Sequence, residues 1–457
     1  MRRTTRHHLS GWLFLAATLC PAAIAGEEQP TNVILVMSDD QGWGDVGYNG
    51  HKILKTPHLD AMAGRSLRFN RFYASSPVCS PTRGSCLTGR HPYRYGIFYA
   101  NAGGPTTPSR YLLPKEEITL AEVLAGRGYR TGHFGKWHLG DFKGKSRSAP
   151  SDHGFDEWFS TARKVATLHP DAASYRHNGK KVEGPLKGDD SKIIMDKAIP
   201  FIRSAVEQKK PFFAVIWFHT PHLPILAAEK HRKLYPGRKD KEKHYWGALT
   251  AMDEQVGRLR GALRELDVAR DTMLWFTSDN GPEGKKEGPG SPGTTGGLRG
   301  RKRSLFEGGV RVPGILEWPA RISKARQSDV TCSTQDYFPT VLAALGIDSP
   351  DPSRPMDGVN LLPLVDGMDF KRGKALAFQS RSELALIDGR YKLHSKLGDA
   401  GKDKLYDLSA DPAEKKNLAD AKPSLAARLR KTLAEWQKST KASLAGADYR
   451  KQSLLEE

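Results

Sequence analysis

Six short stretches of the chain carry side chains suited to anion and proton chemistry. Asp39-Asp40 and Asp279-Asn280 offer four oxygen-bearing side chains, three of them acidic, the donor set of a hard divalent cation such as Ca²⁺ or Mg²⁺. Cys79 stands four residues before Arg83 in Cys79-Ser80-Pro81-Thr82-Arg83-Gly84, a nucleophile position beside a cation that cannot be deprotonated. With no second Cys-x-x-Cys pair, this is not a zinc site, and it lacks the Cys-x-x-Cys of a thioredoxin-like centre. Pro81 reads as stiffening a turn and Gly84 as allowing close backbone approach. In Gly135-Lys136-Trp137-His138, an extended backbone places Lys136 and His138 on one face, where the first binds an oxyanion and the second moves a proton. Pro221 and Pro224 fix the backbone around His222, a candidate general acid, whereas His219 reads as a structural residue. Leu298 to Pro313 is a basic loop containing Lys302 that runs into Glu307-Gly308-Gly309 and is able to close over an anion. Singly, each stretch has a plainer reading as turn acids, a buried cysteine or a solvated loop.

These residues need elements that aim them at one place. Asn32 to Ser38 (NVILVMS) is a continuous apolar run, as in a strand buried on both faces, and it ends in the Asp39-Asp40 pair. Phe212 to His219 and Thr272 to Asp279 repeat that arrangement. Open α/β sheets bind ligands just past the carboxyl ends of such strands. Helices are predicted over Thr119 to Arg127, opening with the Thr119/Glu122 capping box, over Ser191 to Gln208, and over Lys241 to Leu266. The alternation predicts an α/β fold: a large, mixed, mostly parallel sheet flanked by helices. Glu283 to Gly300 reads as a long surface loop. After about residue 350, short strands at Ala375 to Phe378, Leu384 to Ile387, Tyr391 to His394 and Leu405 to Leu408 precede a helix over Pro423 to Lys438. That texture predicts a smaller subdomain of antiparallel sheet plus helix. The expected division is a leader over 1–25, a catalytic domain over 26–350 and a C-terminal subdomain over 351–457.

The leader has a basic start (Arg2, Arg3, Arg6), a short apolar run from Gly11 to Ile24 and an Ala-Ile-Ala cleavage pattern, so the chain is expected to be periplasmic or secreted. No internal apolar run is long enough to span a bilayer. The formal charge is +20, and the three leader arginines account for three of these charges, leaving +17. Such a balance points to an anionic partner; export and the lack of a nucleic-acid module favour an extracellular polyanion over nucleic acid. Of four cysteines, Cys20 leaves with the leader, and the remaining three are too few for a disulfide scaffold. A Cys86–Cys332 pair stays open, and at least one cysteine is free or chemically converted.

Together, Asp39-Asp40, Cys79-x-Pro81-Thr82-Arg83, Leu87-Thr88-Gly89-Arg90, Gly135-Lys136-Trp137-His138, Pro221-His222-x-Pro224, Asp279-Asn280-Gly281 and Glu307-Gly308-Gly309-Val310-Arg311 resemble the formylglycine-dependent sulfatases of the alkaline phosphatase superfamily. The motifs span Asn32 to Arg311 in family order, and the likeness is nearest to the arylsulfatase A and N-acetylgalactosamine-6-sulfatase branch. The resemblance implies that Cys79 is oxidised to formylglycine by a maturation enzyme and that its hydrate attacks a sulfate ester, giving a sulfo-enzyme. It implies one Ca²⁺ held by Asp39, Asp40, residue 79, Asp279 and Asn280, with Mg²⁺ the lesser candidate. It implies that Arg83 stabilises the modified residue, that Lys136 and Lys302 bind sulfate oxygens, that His138 assists the second hydroxyl and that His222 serves the leaving oxygen. The expected substrate is a sulfated carbohydrate. Two rivals remain: a phosphate or phosphonate monoester hydrolase of the same superfamily, and a non-catalytic protein that binds anionic glycans.

Overall fold

The computed structural model describes residues 31–449 apart from 101–102, 105–106, 109–111, 145, 289 and 399–400. The expected leader lies outside the described residues. A ten-stranded sheet organises the molecule. Its strands are β1 (Asn32–Ser38), β2 (Leu67–Phe69), β3 (Arg130–Lys136), β4 (Glu157–Thr161), β5 (Tyr175–His177), β6 (Lys180–Lys181), β7 (Phe212–Trp217), β8 (Thr272–Ser278), β9 (Gly314–Glu317) and β10 (Arg326–Ser328). Their order across the sheet is β10-β2-β9-β8-β1-β7-β3-β4-β5-β6. The five central strands β8, β1, β7, β3 and β4 are all parallel, and antiparallel pairing is confined to the flanks.

The central strands are apolar along their length because both faces are covered. Val33, Leu35 and Met37 of β1 point to one face, packing with Trp217, Trp275 and Tyr337. Ile34 and Val36 point to the other, which is covered by helices Asp190–Glu207 and Asp240–Glu265 through residues such as Ile194, Phe201, Leu249 and Leu259. Burying each such side chain is worth about 1.5–3 kcal/mol, so burial on both faces is a main source of the sheet's stability. The predicted capping box is present: Thr119 opens the helix Leu120–Ala125, and its amide donates to Glu122 Oε2 at 2.7 Å.

The C-terminal part forms a separate four-stranded antiparallel sheet, β11 (Leu376–Ser380), β12 (Glu383–Asp388), β13 (Tyr391–Lys396) and β14 (Lys404–Asp407). The helix Pro423–Leu444 packs on one face through Leu429 and Leu433. The other face packs on Tyr73, Leu305 and Val310 of the larger part. Cys79, Cys86 and Cys332 are all buried and free, so the open Cys86–Cys332 pairing is not formed.

Candidate active site

Asp39 and Asp40 follow β1, and Asp279 and Asn280 follow β8, in neighbouring strands whose last residues, Ser38 and Ser278, lie in register. This register brings residues 240 positions apart into contact: Asn280 Nδ2 donates to Asp40 Oδ1 at 2.7 Å, and the Asp40 amide donates to Asp279 Oδ1 at 3.1 Å. All four side chains are buried. Ser278 Oγ accepts from the amide of Gln41 at 3.0 Å and so ties the two turns together.

The Cys79 stretch is not the turn read from its proline and glycine. Cys79–Thr88 is an α-helix, α1, that starts at Cys79 itself, with Val78 as its extended cap. Pro81 is tolerated because the first turn of a helix has no use for its missing N–H. Gly84 does not meet backbone; a Cβ there would lie 2.7 Å from the hydroxyl of Tyr95. Starting the helix at residue 79 puts the positive end of its dipole there, where negative charge is stabilised. One turn on, Arg83 is fully buried. It donates to Asp279 Oδ2 from Nη2 at 2.6 Å and from Nε at 3.2 Å, and to the carbonyl of Lys136 at 2.9 Å. Its guanidinium lies over Trp217, 5.2 Å from the ring centre.

Lys136 is the last residue of β3 and reaches Asp39 Oδ2 at 2.6 Å. The strand stops there. His138 has φ 56°, so it does not continue the extended face with Lys136 as the two-residue spacing predicts, although it is buried nearby. Lys302 arrives from the basic loop and contacts Asp40 at 2.6 and 2.7 Å through Oδ1 and Oδ2. His222 follows β7; its Nδ1 donates to the carbonyl of Leu223 at 2.7 Å, which leaves Nε2 facing Asp40 Oδ2 at 3.7 Å. His219 is fully buried between Asp190, 2.9 Å from Nδ1, and Thr161, 2.7 Å from Nε2, a satisfied structural position.

Ligand atoms of Asp39, Asp40, Cys79 and His222 all lie within 4.8 Å of one another. Asp39 Oδ1 and Asn280 Oδ1 are buried with no hydrogen-bond partner. A buried oxygen left without a donor is costly, and a hard cation satisfies it. Asp39, Asp40 and Asp279 are matched by Arg83, Lys136 and Lys302, so a divalent ion would give the site a net positive charge. The residues therefore fit Ca²⁺ in donor chemistry, and the resulting positive charge suits an anionic substrate.

The electrostatics follow from burial and these neighbours. Burial raises the Asp40 carboxyl, but Lys302, His222 and Lys136 outweigh it and hold the group well below the usual carboxylate range. Asp279 moves the other way, raised by burial and by Asp39 despite Arg83. Burial pushes the Cys79 thiol up to about 12, with Lys136 and Lys302 offsetting part of the effect. His222 is lowered to about 3 by burial and by Lys136, and His138 falls well below its ordinary value by burial first and Lys136 second.

The long segment over 283–300 is less of a surface loop than its composition predicts. Thr294 donates its amide to Asp45 Oδ1 at 2.9 Å, and Thr295 and Leu298 are buried. Glu283 pairs with Arg303 at 2.6 Å and lies 3.6 Å from Lys302. The sequence reading missed two residues of the C-terminal sheet region, Lys392 and Glu414, which form buried ion pairs beneath the basic loop. A lysine inside the apolar-polar alternation of β13 was the available signal.

Comparison with known proteins places these features in context. The family model described as Sulfatase matches residues 31–347. One described as N-sulphoglucosamine sulphohydrolase, C-terminal, matches residues 300–439. N-acetylgalactosamine-6-sulfatase of Sus scrofa is 33% identical over 408 residues, covering 85% of this chain and 76% of its own. Arylsulfatase A of Bos taurus is 33% identical over 451 residues, covering 88% and 86%. Among solved structures, Ps i-CgsB in complex with k-i-k-neocarrahexaose superposes with a TM-score of 0.80 at 26% identity, covering 90% of this chain and 94% of that one.

Proposed function

The chain belongs to the sulfatase family, a sulfuric ester hydrolase by that membership, and from that premise we propose that it is an exported enzyme cleaving sulfate esters of carbohydrates through an oxidised residue 79. The observation that carries this reading is the convergence at Cys79: two partnerless buried oxygens, Asp39 Oδ1 and Asn280 Oδ1, beside a helix start, with Lys136 and Lys302 on the acids that face it.

In this reading Asp39, Asp40, Asp279, Asn280 and residue 79 hold Ca²⁺. When bound, the ion supplies charge that draws a sulfate oxygen and favours the deprotonated hydroxyl. Residue 79, converted from cysteine to formylglycine and hydrated, supplies that hydroxyl, which requires a maturation enzyme in the host. Lys136 and Lys302 take the sulfate oxygens and offset the charge that repels a nucleophile. Arg83 holds Asp279 and the head of α1 in register. His222 serves the leaving oxygen: with Nδ1 fixed on Leu223, only Nε2 can carry the proton delivered. An arriving anion favours protonation of that ring, against the depression caused by burial and by Lys136. His138 accepts a proton from the second hydroxyl.

The carbohydrate assignment is supported by the formal charge, +20 and thus +17 without the three leader arginines, and by the sugar-directed names of the relatives. The test is sulfate release from defined sulfated saccharides, run beside phosphate and phosphonate monoesters, with Cys79→Ala as control and mass analysis of the peptide carrying residue 79. The reading expects sulfate esters to be turned over fastest and Cys79→Ala to be inactive. Preferred turnover of phosphonates would favour the rival hydrolase. Saccharide binding without turnover, at an unconverted Cys79, would favour the glycan-binding protein.

A further inference from the structure

The loop carrying Lys302 is held from below by the C-terminal sheet. Lys392 of β13 is fully buried, with Nζ 2.9 Å from Glu307 Oε1 and 3.0 Å from Glu414 Oε1. Glu414 Oε2 accepts from the amide of Glu307 at 2.6 Å, and Tyr73 donates its hydroxyl to Glu307 Oε2 at 2.9 Å. Arg311 lies 3.6 Å from the same carboxylate. At the other end of the loop, Arg299 covers the Phe306 ring at 3.9 Å and donates to the carbonyl of Glu414 at 3.0 Å. Between these ends, the amide of Leu305 donates to Glu383 Oε2 at 2.8 Å, and the Phe306 ring stacks on His394 at 4.2 Å.

Three features separate this network from ordinary packing. Two buried carboxylates and a buried ammonium are expensive to desolvate, and such a group persists only where its geometry is tightly specified. Glu414 takes a left-handed backbone, φ 55°, that residues with a Cβ seldom adopt, and it does so while bonding both Lys392 and Glu307. Four of the sheet region's anchors converge on the short stretch 299–307, at Arg299, Leu305, Phe306 and Glu307, with Lys302 between them and its ammonium on Asp40. The catalytic side adds its own supports, Lys302 N to Pro282 O at 3.1 Å and Arg303 N to Pro77 O at 2.8 Å, so the loop is clamped from both sides.

We infer that Lys392 and Glu414 are positioning residues of the active site: through Glu307 they fix the 299–307 loop and set Lys302 against the acids that face residue 79. The inference rests on the proposed role of Lys302 as a sulfate ligand. It makes the C-terminal sheet a working part of the catalytic centre rather than an appendage.

The test uses the full-length matured enzyme with three changes: Lys392→Met, Glu414→Gln and Lys302→Ala. Lys392→Met is expected to lower kcat/KM by about 10–100-fold, the usual effect of removing an outer-shell support, with a raised KM as sulfate binding weakens. In the Lys302→Ala background the same change should cost little more, because both act through one ammonium. Amide exchange over 299–307 should speed up in Lys392→Met while exchange in β1 and β8 stays unchanged. Should Lys392→Met fail to fold, Glu414→Gln, which removes charge but keeps shape, is read by the same two measurements. Losses that multiply in the double variant, or unchanged exchange over 299–307, overturn the inference. A wild-type enzyme inactive on every sulfate ester overturns the proposed reaction instead, while the exchange measurement still decides the positioning claim.

Discussion

The amide of Gly281 donates to the carbonyl of Gly309 at 2.9 Å, joining the Asp279-Asn280 turn to the Glu-Gly-Gly turn behind Lys302. The two backbones approach so closely that a Cβ on Gly281 would lie 2.0 Å from the carbonyl of Gly308. A Cβ on Gly309 would lie 2.0 Å from the carbonyl of Ser304. These glycines are therefore required by contact with backbone, which cannot swing aside as a flexible side chain can. Gly281→Ala should destabilise the fold by at least the ~1–3 kcal/mol of an overpacked core, and should also displace Asn280 and Lys302 together. Urea unfolding reads the first effect. An unchanged midpoint would mean that the turns are free to separate.

Arg83 and Asp279 should behave as a buried pair. Arg83→Met leaves Asp279 Oδ2 without either of its two guanidinium donors in a buried setting, a change that typically costs about 3–5 kcal/mol. The double variant Arg83→Met/Asp279→Asn should recover part of that loss while remaining inactive. If the single variant is as stable as the parent, Arg83 serves only chemistry.

Calcium should stabilise the protein by mass action. At a hundredfold excess over its Kd, a ligand of the folded state adds about 2.7 kcal/mol, visible as a raised Tm. Asp39→Ala and Asn280→Ala remove the oxygens that lack partners and should blunt that increase. A chelator that leaves the Tm of the parent untouched would argue against a resident ion.

Two buried histidines should make a contribution to stability that acid removes. Burial holds His91 near 3 and His153 near 4, against an ordinary value of 6.5. The unfolded chain therefore binds these protons below pH 6.5 while the native chain does not, so the stability they contribute is present at neutral pH and lost as pH falls from 6.5 toward 3. Chemical denaturation of the parent and of His91→Gln across that window isolates the contribution: the stability difference between them should shrink as pH falls from 6.5 toward 3. A difference between parent and His91→Gln that stays level down to pH 4 would contradict the burial of this ring as a neutral group.

Much of the architecture was legible in the chain. Continuous apolar runs specify doubly covered strands, and the acids at the ends of Asn32–Ser38 and Thr272–Ser278 are local features of those runs. The capping box at Thr119 and the alternating C-terminal strands are likewise written within a few residues. Parallel neighbours align their carboxyl ends, so β1 and β8, once adjacent, had to bring their acids together.

Other features had no local signature. That Cys79 begins a helix depended on packing, since a proline and a glycine in ten residues argue for a turn; burial of the whole segment outweighs that weak propensity. The left-handed turn at His138 is imposed where β3 ends among the loops of the site, and a two-residue spacing carries no trace of it. The pairing of Arg83 with Asp279 spans 196 residues, and that of Lys392 with Glu307 spans 85. The sequence by itself determined which groups this protein has and on which strand ends or loops most of them lie. Only the tertiary structure decided which charge faces which, because ion pairing depends on the register and packing of distant segments, and local periodicity does not encode them.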